Sequence, residues 1–175
     1  MTEIALAIGG NVGDRVATLR EATRLLAAGG VAVSAVSALY ETPPWGYADQ
    51  PPFLNGAVRG ETALAPLDLL RLAKRIEGEL GRTPSFRNAP RPVDVDIALY
   101  GDAVIADDAH DLHVPHLRLP ERGFVLVPLA EIAPEWVHPA LGRTIADLRT
   151  ALGPTPEITR FAVAHDWYLE ATGNK

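Results

Sequence analysis

The run Val93-Asp94-Val95-Asp96-Ile97 limits the possible folds of this chain more than any other segment. Side chains alternate across a strand, so Val93, Val95 and Ile97 face one way and Asp94 and Asp96 the other. The first face needs a core. The second carries two carboxylates on one side of a sheet, with Cα atoms about 6.5–7 Å apart. Aspartate is a poor strand former and two of them repel, so a positive group is expected beside them. Hard oxygen donors of this kind suit magnesium, which takes one or two protein carboxylates and completes its octahedron with water and phosphate oxygens. Alternation alone would also produce a merely solvated acidic strand.

Local charge favours the functional reading. Residues 82–91 hold Arg82, Arg87 and Arg91 and no acid, whereas residues 102–111 hold Asp102, Asp107, Asp108 and Asp111 and no Lys or Arg. The arginine loop runs straight into the acidic strand. Cations for phosphate beside carboxylates for magnesium are the two halves of a nucleotide-triphosphate site. No Gly-x-x-x-x-Gly-Lys-Ser/Thr loop is present, so such a site is not of the P-loop type. The net charge of −6 argues against nucleic acid as a partner. The chain lacks cysteine, which excludes disulfides, thiolate metal sites and a cysteine nucleophile. Its 175 residues suit a single domain spanning 1–175. The start resembles no signal peptide and no stretch reaches the roughly 20 apolar residues of a membrane helix, so a cytoplasmic enzyme is expected.

Periodicity gives the order of elements. Ile4–Ile8 reads as a strand, broken by Gly9-Gly10-Asn11-Val12-Gly13-Asp14. Val16, Leu19, Ala22 and Leu26 follow at helical spacing, with Asp14 as cap and Gly29-Gly30 as stop. A valine-rich strand spans 31–37 towards Tyr40, a Pro/Gly-rich loop covers 41–52, and a strand resumes at 53–58. A second helix is expected over 62–80, with Leu64, Leu67, Leu70, Ala73, Ile76 and Leu80 as its apolar stripe and Gly81 as its stop. After the acidic strand, Val104-Ile105 reads as an edge strand, 124–129 as buried strand or helical turn, and 144–152 as a short helix. The tail after about 155 has no assignment. Strand, helix, strand, strand, helix, strand matches a split βαβ unit. The expected class is α+β, a ferredoxin-like antiparallel sheet with helices on one face and long substrate loops on the other.

Several segments together resemble one family, the 6-hydroxymethyl-7,8-dihydropterin pyrophosphokinases of folate synthesis. They are Gly9–Gly13, Tyr40-Glu41-Thr42-Pro43-Pro44-Trp45-Gly46, Gln50–Asn55, Glu77–Arg82, Pro90–Ile97, Val114-Pro115-His116, Arg122-Gly123-Phe124 and Pro128-Leu129. The resemblance runs to about Pro134. It implies transfer of the β,γ-pyrophosphoryl group of ATP to the pterin hydroxymethyl oxygen, releasing AMP. It implies two Mg2+ ions on Asp94 and Asp96, with Arg82 and Arg91 acting on the phosphates. It also implies ATP contacts at Glu77, Ile97, His116 and Arg122. The pterin would meet Asn55 at its edge, Thr42, Pro43 and Trp45 in the pocket wall, and Phe53 and Phe124 on its two faces. A single chain acting on small molecules is implied. Lys74, Asn88, Asp111 and Leu117 depart from the family pattern, which bears on ATP affinity and loop closure.

Two rival readings exist. His110, His113 and His116 with Asp107, Asp108 and Asp111 could form a histidine-rich metal site, although Val114-Pro115 disfavours the helix that this spacing would need. A non-catalytic ferredoxin-like sensor is also possible on fold alone, but it leaves the acidic pair and arginine loop without a purpose.

Overall fold

The structure is a computed structural model that describes residues 1–44, 46–161 and 167–168. In chain order the elements are β1 (Thr2–Gly10), α1 (Arg15–Ala28), β2 (Val31–Val36), β3 (Tyr40–Thr42), β4 (Phe53–Thr62), α2 (Pro66–Glu79) and β5 (Asp94–Tyr100). There follow β6 (Ile105–Asp107), β7 (Leu112–Val114), a 3-10 turn at Leu119–Glu121, α3 (Gly123–Ile132), β8 (Val137–His138), β9 (Arg143–Thr144), α4 (Ile145–Leu152) and β10 (Thr159–Arg160). The main sheet is ordered β10-β3-β4-β1-β5, with β2 pairing the far end of β4. All its pairings are antiparallel. This is the expected α+β arrangement.

Alternation divides the sheet. Ile4, Leu6 and Ile8 of β1, Leu54 and Val58 of β4, and Val95 and Ile97 of β5 point to one face, where they pack with α1 and α2. Asp14 caps α1, its carboxylate accepting from the Ala17 N–H at 3.1 Å. Helix α2 starts later than its pattern suggests. Thr62 still belongs to β4, where its hydroxyl donates to the Gly30 carbonyl at 2.8 Å. Pro66 then opens the helix, a position where a missing N–H does no harm. The buried stripe of α2 is Leu69, Leu72, Ala73 and Ile76, so Leu67 and Leu70 lie at its margin rather than its centre. Gly81 ends the segment at φ +97°, a conformation that suits glycine.

The second face, where the sequence predicts long loops, also carries helices. Ala5, Ala57, Ala98 and Leu99 pack under α3 and α4 with Val125, Leu126, Leu129, Ile145 and Leu148. Residues 124–129 are therefore helical, not a strand. The rest of this face, towards the ends of β4, β1 and β5, opens towards Pro43 and the loop 83–91. Val104 lies outside any strand; Ile105 begins β6, which pairs with β7.

Candidate active site

Register sets out the floor of the site. Gly9 lies between Asn55 and Asp94, and Ala7 lies between Ala57 and Asp96. Small residues on the central strand leave space between an amide on one side and carboxylates on the other. A Cβ on Gly9 would overlap the Asn55 side-chain oxygen, and one on Gly10 would overlap the Pro92 carbonyl. Glycine at these positions lets the neighbours close in.

Two cavities open above this floor. The smaller, about 490 Å³, is lined by Ala7, Gly9, Thr42, Pro43, Phe53, Asn55, Phe124 and Val125, together with Arg91, Asp94 and Asp96. The larger, about 1540 Å³, is lined by Lys74, Glu77, Arg82, Arg87, Asn88, Asp111, His116 and Arg122, and again by Arg91, Asp94, Asp96 and Phe124. The acidic pair thus belongs to both. In the smaller pocket the Asn55 amide donates to Thr42 Oγ1 at 2.7 Å, and the Arg91 guanidinium lies 4.8 Å from the Phe53 ring centre.

The charges are unequally paired. Arg82 Nη1 bonds Asp94 at 2.6 Å and reaches Glu77 at 3.1 Å, while Arg91 Nη2 lies 3.4 Å from the other Asp94 oxygen. Burial opposes ionisation of Asp94, but Arg91 and Arg82 outweigh it and hold its pKa below the usual value. Burial, reinforced by the charge of Asp94, pushes Asp96 up to about 7. Burial also lowers His116, with Arg122 adding to the effect, which favours the neutral imidazole. Its Nδ1 accepts from the Arg118 N–H at 3.0 Å, which leaves the proton on Nε2. The Nε atoms of Arg91 and Arg122 are buried with no hydrogen-bond partner among the described residues. Buried donors without acceptors suit an anion.

The donor chemistry also fits a divalent cation. Asp94 and Asp96 offer adjacent oxygen ligands, and burial beside the Asp94 charge makes an ionised Asp96 costly without a cation. Among the described residues no group of three or more His, Cys, Asp or Glu forms a metal site, so a cation here would need ligands from water or phosphate. The histidine-rich alternative dissolves for the same reason: His110 pairs with Asp107 at 2.7 Å and His113 with Asp108 at 3.1 Å, while His116 faces the larger cavity.

The structure brings together Arg82, Arg91, Asp94, Asp96, Thr42, Pro43, Phe53, Asn55, Phe124, Glu77, His116 and Arg122. Trp45 lies outside the described residues. Ile97 stands apart, because its side chain is buried in the core on the opposite face. Glu77 does more than line the cleft: its carboxylate accepts from the Val95 N–H at 2.9 Å and so ties α2 to the edge strand β5. Asn11, read from sequence only as part of a turn, is buried and links three segments. Its amide donates to Gln50 and to the Pro51 carbonyl, both at 2.9 Å, and its oxygen accepts from the Arg91 N–H at 2.9 Å. An asparagine within a glycine-rich turn was the available signal.

Fold and site together define a nucleotide-dependent group-transfer enzyme of the α+β type. Residues 5–134 match the family 7,8-dihydro-6-hydroxymethylpterin-pyrophosphokinase (HPPK). A 2-amino-4-hydroxy-6-hydroxymethyldihydropteridine pyrophosphokinase of Methylorubrum extorquens is 45% identical over 156 residues, covering 89% of this chain and 96% of the relative. The Bacillus subtilis protein of the same name is 50% identical over 134 residues, covering 75% and 79%. The mitochondrial folate synthesis bifunctional protein of Arabidopsis thaliana is 48% identical over 130 residues, covering 74% of this chain but only 23% of that longer protein. A Plasmodium falciparum HPPK-DHPS structure superposes with a TM-score of 0.73 at 17% identity, covering 93% of this chain and 49% of that one, and shows the fold alone. The chain belongs to the 7,8-dihydro-6-hydroxymethylpterin pyrophosphokinase family. No helix among the described residues is long and apolar enough to cross a membrane.

Proposed function

We propose that this chain transfers the β,γ-pyrophosphoryl group of ATP to the hydroxymethyl oxygen of 6-hydroxymethyl-7,8-dihydropterin, giving the pterin pyrophosphate and AMP in folate synthesis. The observation that carries the reading is the sharing of Asp94, Asp96 and Arg91 between the two cavities. A reaction between two bound molecules needs such a junction. The smaller pocket suits a flat pterin, with Phe53 and Phe124 for its faces and Asn55 for its polar edge. Thr42 accepts from the Asn55 amide at 2.7 Å, which fixes the orientation in which Asn55 meets a ligand. Thr42 and Pro43 line the pocket.

The larger cleft suits ATP. Arg82, Arg91 and Arg122 supply positive charge to a polyphosphate, and His116 and Glu77 line the nucleotide side. Asp94 and Asp96 would hold two magnesium ions. Magnesium supplies charge neutralisation to phosphate oxygens during transfer. The protein's own part is positioning: it holds the hydroxymethyl oxygen near the β-phosphorus and keeps both ligands in register with the arginines. The oxygen forms its bond to that phosphorus as the bond to the α–β bridging oxygen breaks, AMP leaves, and the hydroxyl proton is released.

The test is incubation with ATP, magnesium and the pterin, followed by nucleotide chromatography. Pterin-dependent AMP is expected; ADP with phosphate, or no turnover, would refute the reading. Asp94→Ala and Asp96→Ala should each lower turnover by orders of magnitude while circular dichroism stays native. A normal rate in either would remove the metal assignment. Action as a single chain on small molecules is part of the same reading. The same reading places the enzyme in the cytoplasm. Sedimentation and cell fractionation check these two points.

A further inference from the structure

We propose that the segment Thr155–Phe161, together with Arg15, is a brace that positions the walls of the pterin pocket without touching the ligand. The inference rests on the reading of the smaller cavity as the pterin site. This segment lies beyond the residues matched by the family, 5–134.

Three contacts carry the argument. The first is at β3. This strand has only the residues Tyr40–Thr42, and it leads directly into the proline-rich loop. A strand that short, bonded on one side, frays easily. Here β10 supplies a second partner, with Thr159 opposite Glu41 and Arg160 opposite Tyr40. The Phe161 N–H extends the ladder to the Leu39 carbonyl at 2.8 Å.

The second contact is at Pro52. Arg15 Nη1 donates to the Pro52 carbonyl at 3.1 Å, and Nη2 pairs with Glu41 at 2.8 Å. The same guanidinium lies 5.2 Å from the Phe161 ring centre. One cation thus ties the tail, β3 and the end of the loop together. The third contact is at Gly123. A Cβ there would lie 2.8 Å from Ile158 Cδ1 and 3.3 Å from Thr155 Cγ2, so the tail packs directly on this backbone.

Each braced point adjoins a pocket wall. Strand β3 ends at Thr42, Pro52 precedes Phe53, and Gly123 precedes Phe124. None of Arg15, Thr155, Ile158 or Phe161 lines the pocket. They are positioning residues, and small displacements of the walls they hold would be felt by a rigid flat ligand.

The test is Phe161→Ala in the full chain, with Phe161→Tyr as the conservative variant. Amide hydrogen exchange should quicken about tenfold in peptides covering 39–42 and stay unchanged in β1 and β5. The pterin KM should rise about fivefold, while kcat and the ATP KM stay within twofold. Phe161→Tyr should restore both readouts, because a tyrosine ring also accepts the Arg15 cation. Unchanged exchange at 39–42 overturns the brace. Faster exchange with an unaltered pterin KM, or equal rises in both KM values, overturns its positioning role. Should Phe161→Ala fail to fold, Arg15→Gln is read by the same measurements. Absence of AMP formation by the unsubstituted chain would count against the reaction itself, and exchange alone would then decide the brace.

Discussion

Replacing Glu77 with alanine separates two roles that sequence and structure assign to it. As a nucleotide contact alone, its loss would raise the ATP KM and leave stability untouched. The structure gives it a second task at the free edge of β5, where its carboxylate accepts from the Val95 N–H at 2.9 Å. Leaving that buried donor unpaired costs roughly 1–3 kcal/mol. The ion pairs to Arg82 and Lys74, whose side chains are 32% and 54% exposed, add only about 0.5 kcal/mol after solvent screening. Burial raises the Glu77 pKa, so removing the carboxylate relieves part of a desolvation penalty. The net loss should be about 2 kcal/mol, which for a chain of this size lowers Tm by roughly 4–8 °C. Differential scanning calorimetry at neutral pH measures it. A fall below about 1 °C would refute the bracing role. Glu77→Gln keeps an oxygen for Val95 and should lose under about 1 kcal/mol. The sign with pH is fixed by the direction of the shift. Because the folded value lies above 4.5, the native state holds the extra proton in the window above that value. Wild-type stability therefore falls as pH rises through the window, and Glu77→Gln should gain relative to wild type as pH rises above 4.5.

Other expectations follow from the same geometry. With Asp96 near pH 7, a proton competes with magnesium below that value, so the thermal shift produced by magnesium should be larger at pH 8 than at pH 6; an equal shift at both would contradict the Asp96 environment. Asn55→Ala should raise the pterin Kd by roughly 5- to 150-fold, from about 1–3 kcal/mol of unpaired ligand edge, with ATP binding unaffected in calorimetry. Gly9→Ala forces the Asn55 amide aside and should destabilise the chain by about 1–3 kcal/mol in denaturant titrations while weakening pterin binding. Retention of wild-type pterin affinity by Gly9→Ala would mean that Asn55 does not depend on that close approach.

What could be read from the sequence was local. The period-2 run in β5 separates Val95 and Ile97 from Asp94 and Asp96, and the structure places them on opposite faces as that period requires. Asp14, Gly29 and Gly81 are legible as boundaries because capping and left-handed backbone depend on a few neighbouring residues. The start of α2 was misplaced because Thr62 is held in β4 by Gly30, a partner 32 residues away. The helical state of 124–129 is equally nonlocal, since a short apolar run fits a strand or a helix until its packing partners are known. Asn11 and Glu77 show the same limit at the site. Each satisfies backbone groups on distant segments, and nothing beside them in the chain announces those partners. Residues 155–161 gave no pattern at all, because their fit depends on a bare Gly123 backbone and on one arginine of α1.

The difference between the two aspartates is the main electrostatic property of the site. They are identical residues, two apart on one strand and on one face. Arg82 and Arg91 both reach Asp94, whereas among the described residues neither pairs with Asp96. Burial, reinforced by the neighbouring Asp94 charge, then pushes the Asp96 pKa up to about 7. Asp96 lies beside Ala7, at the floor where both cavities open. A cation placed there would touch a ligand in either cavity, whereas one placed at Asp94 alone would first have to displace an arginine. The arginines thus do two things in the proposed reaction. They wait on Asp94 as donors for a polyphosphate, and by doing so they leave the second carboxylate as the point of entry for the metal that accompanies it.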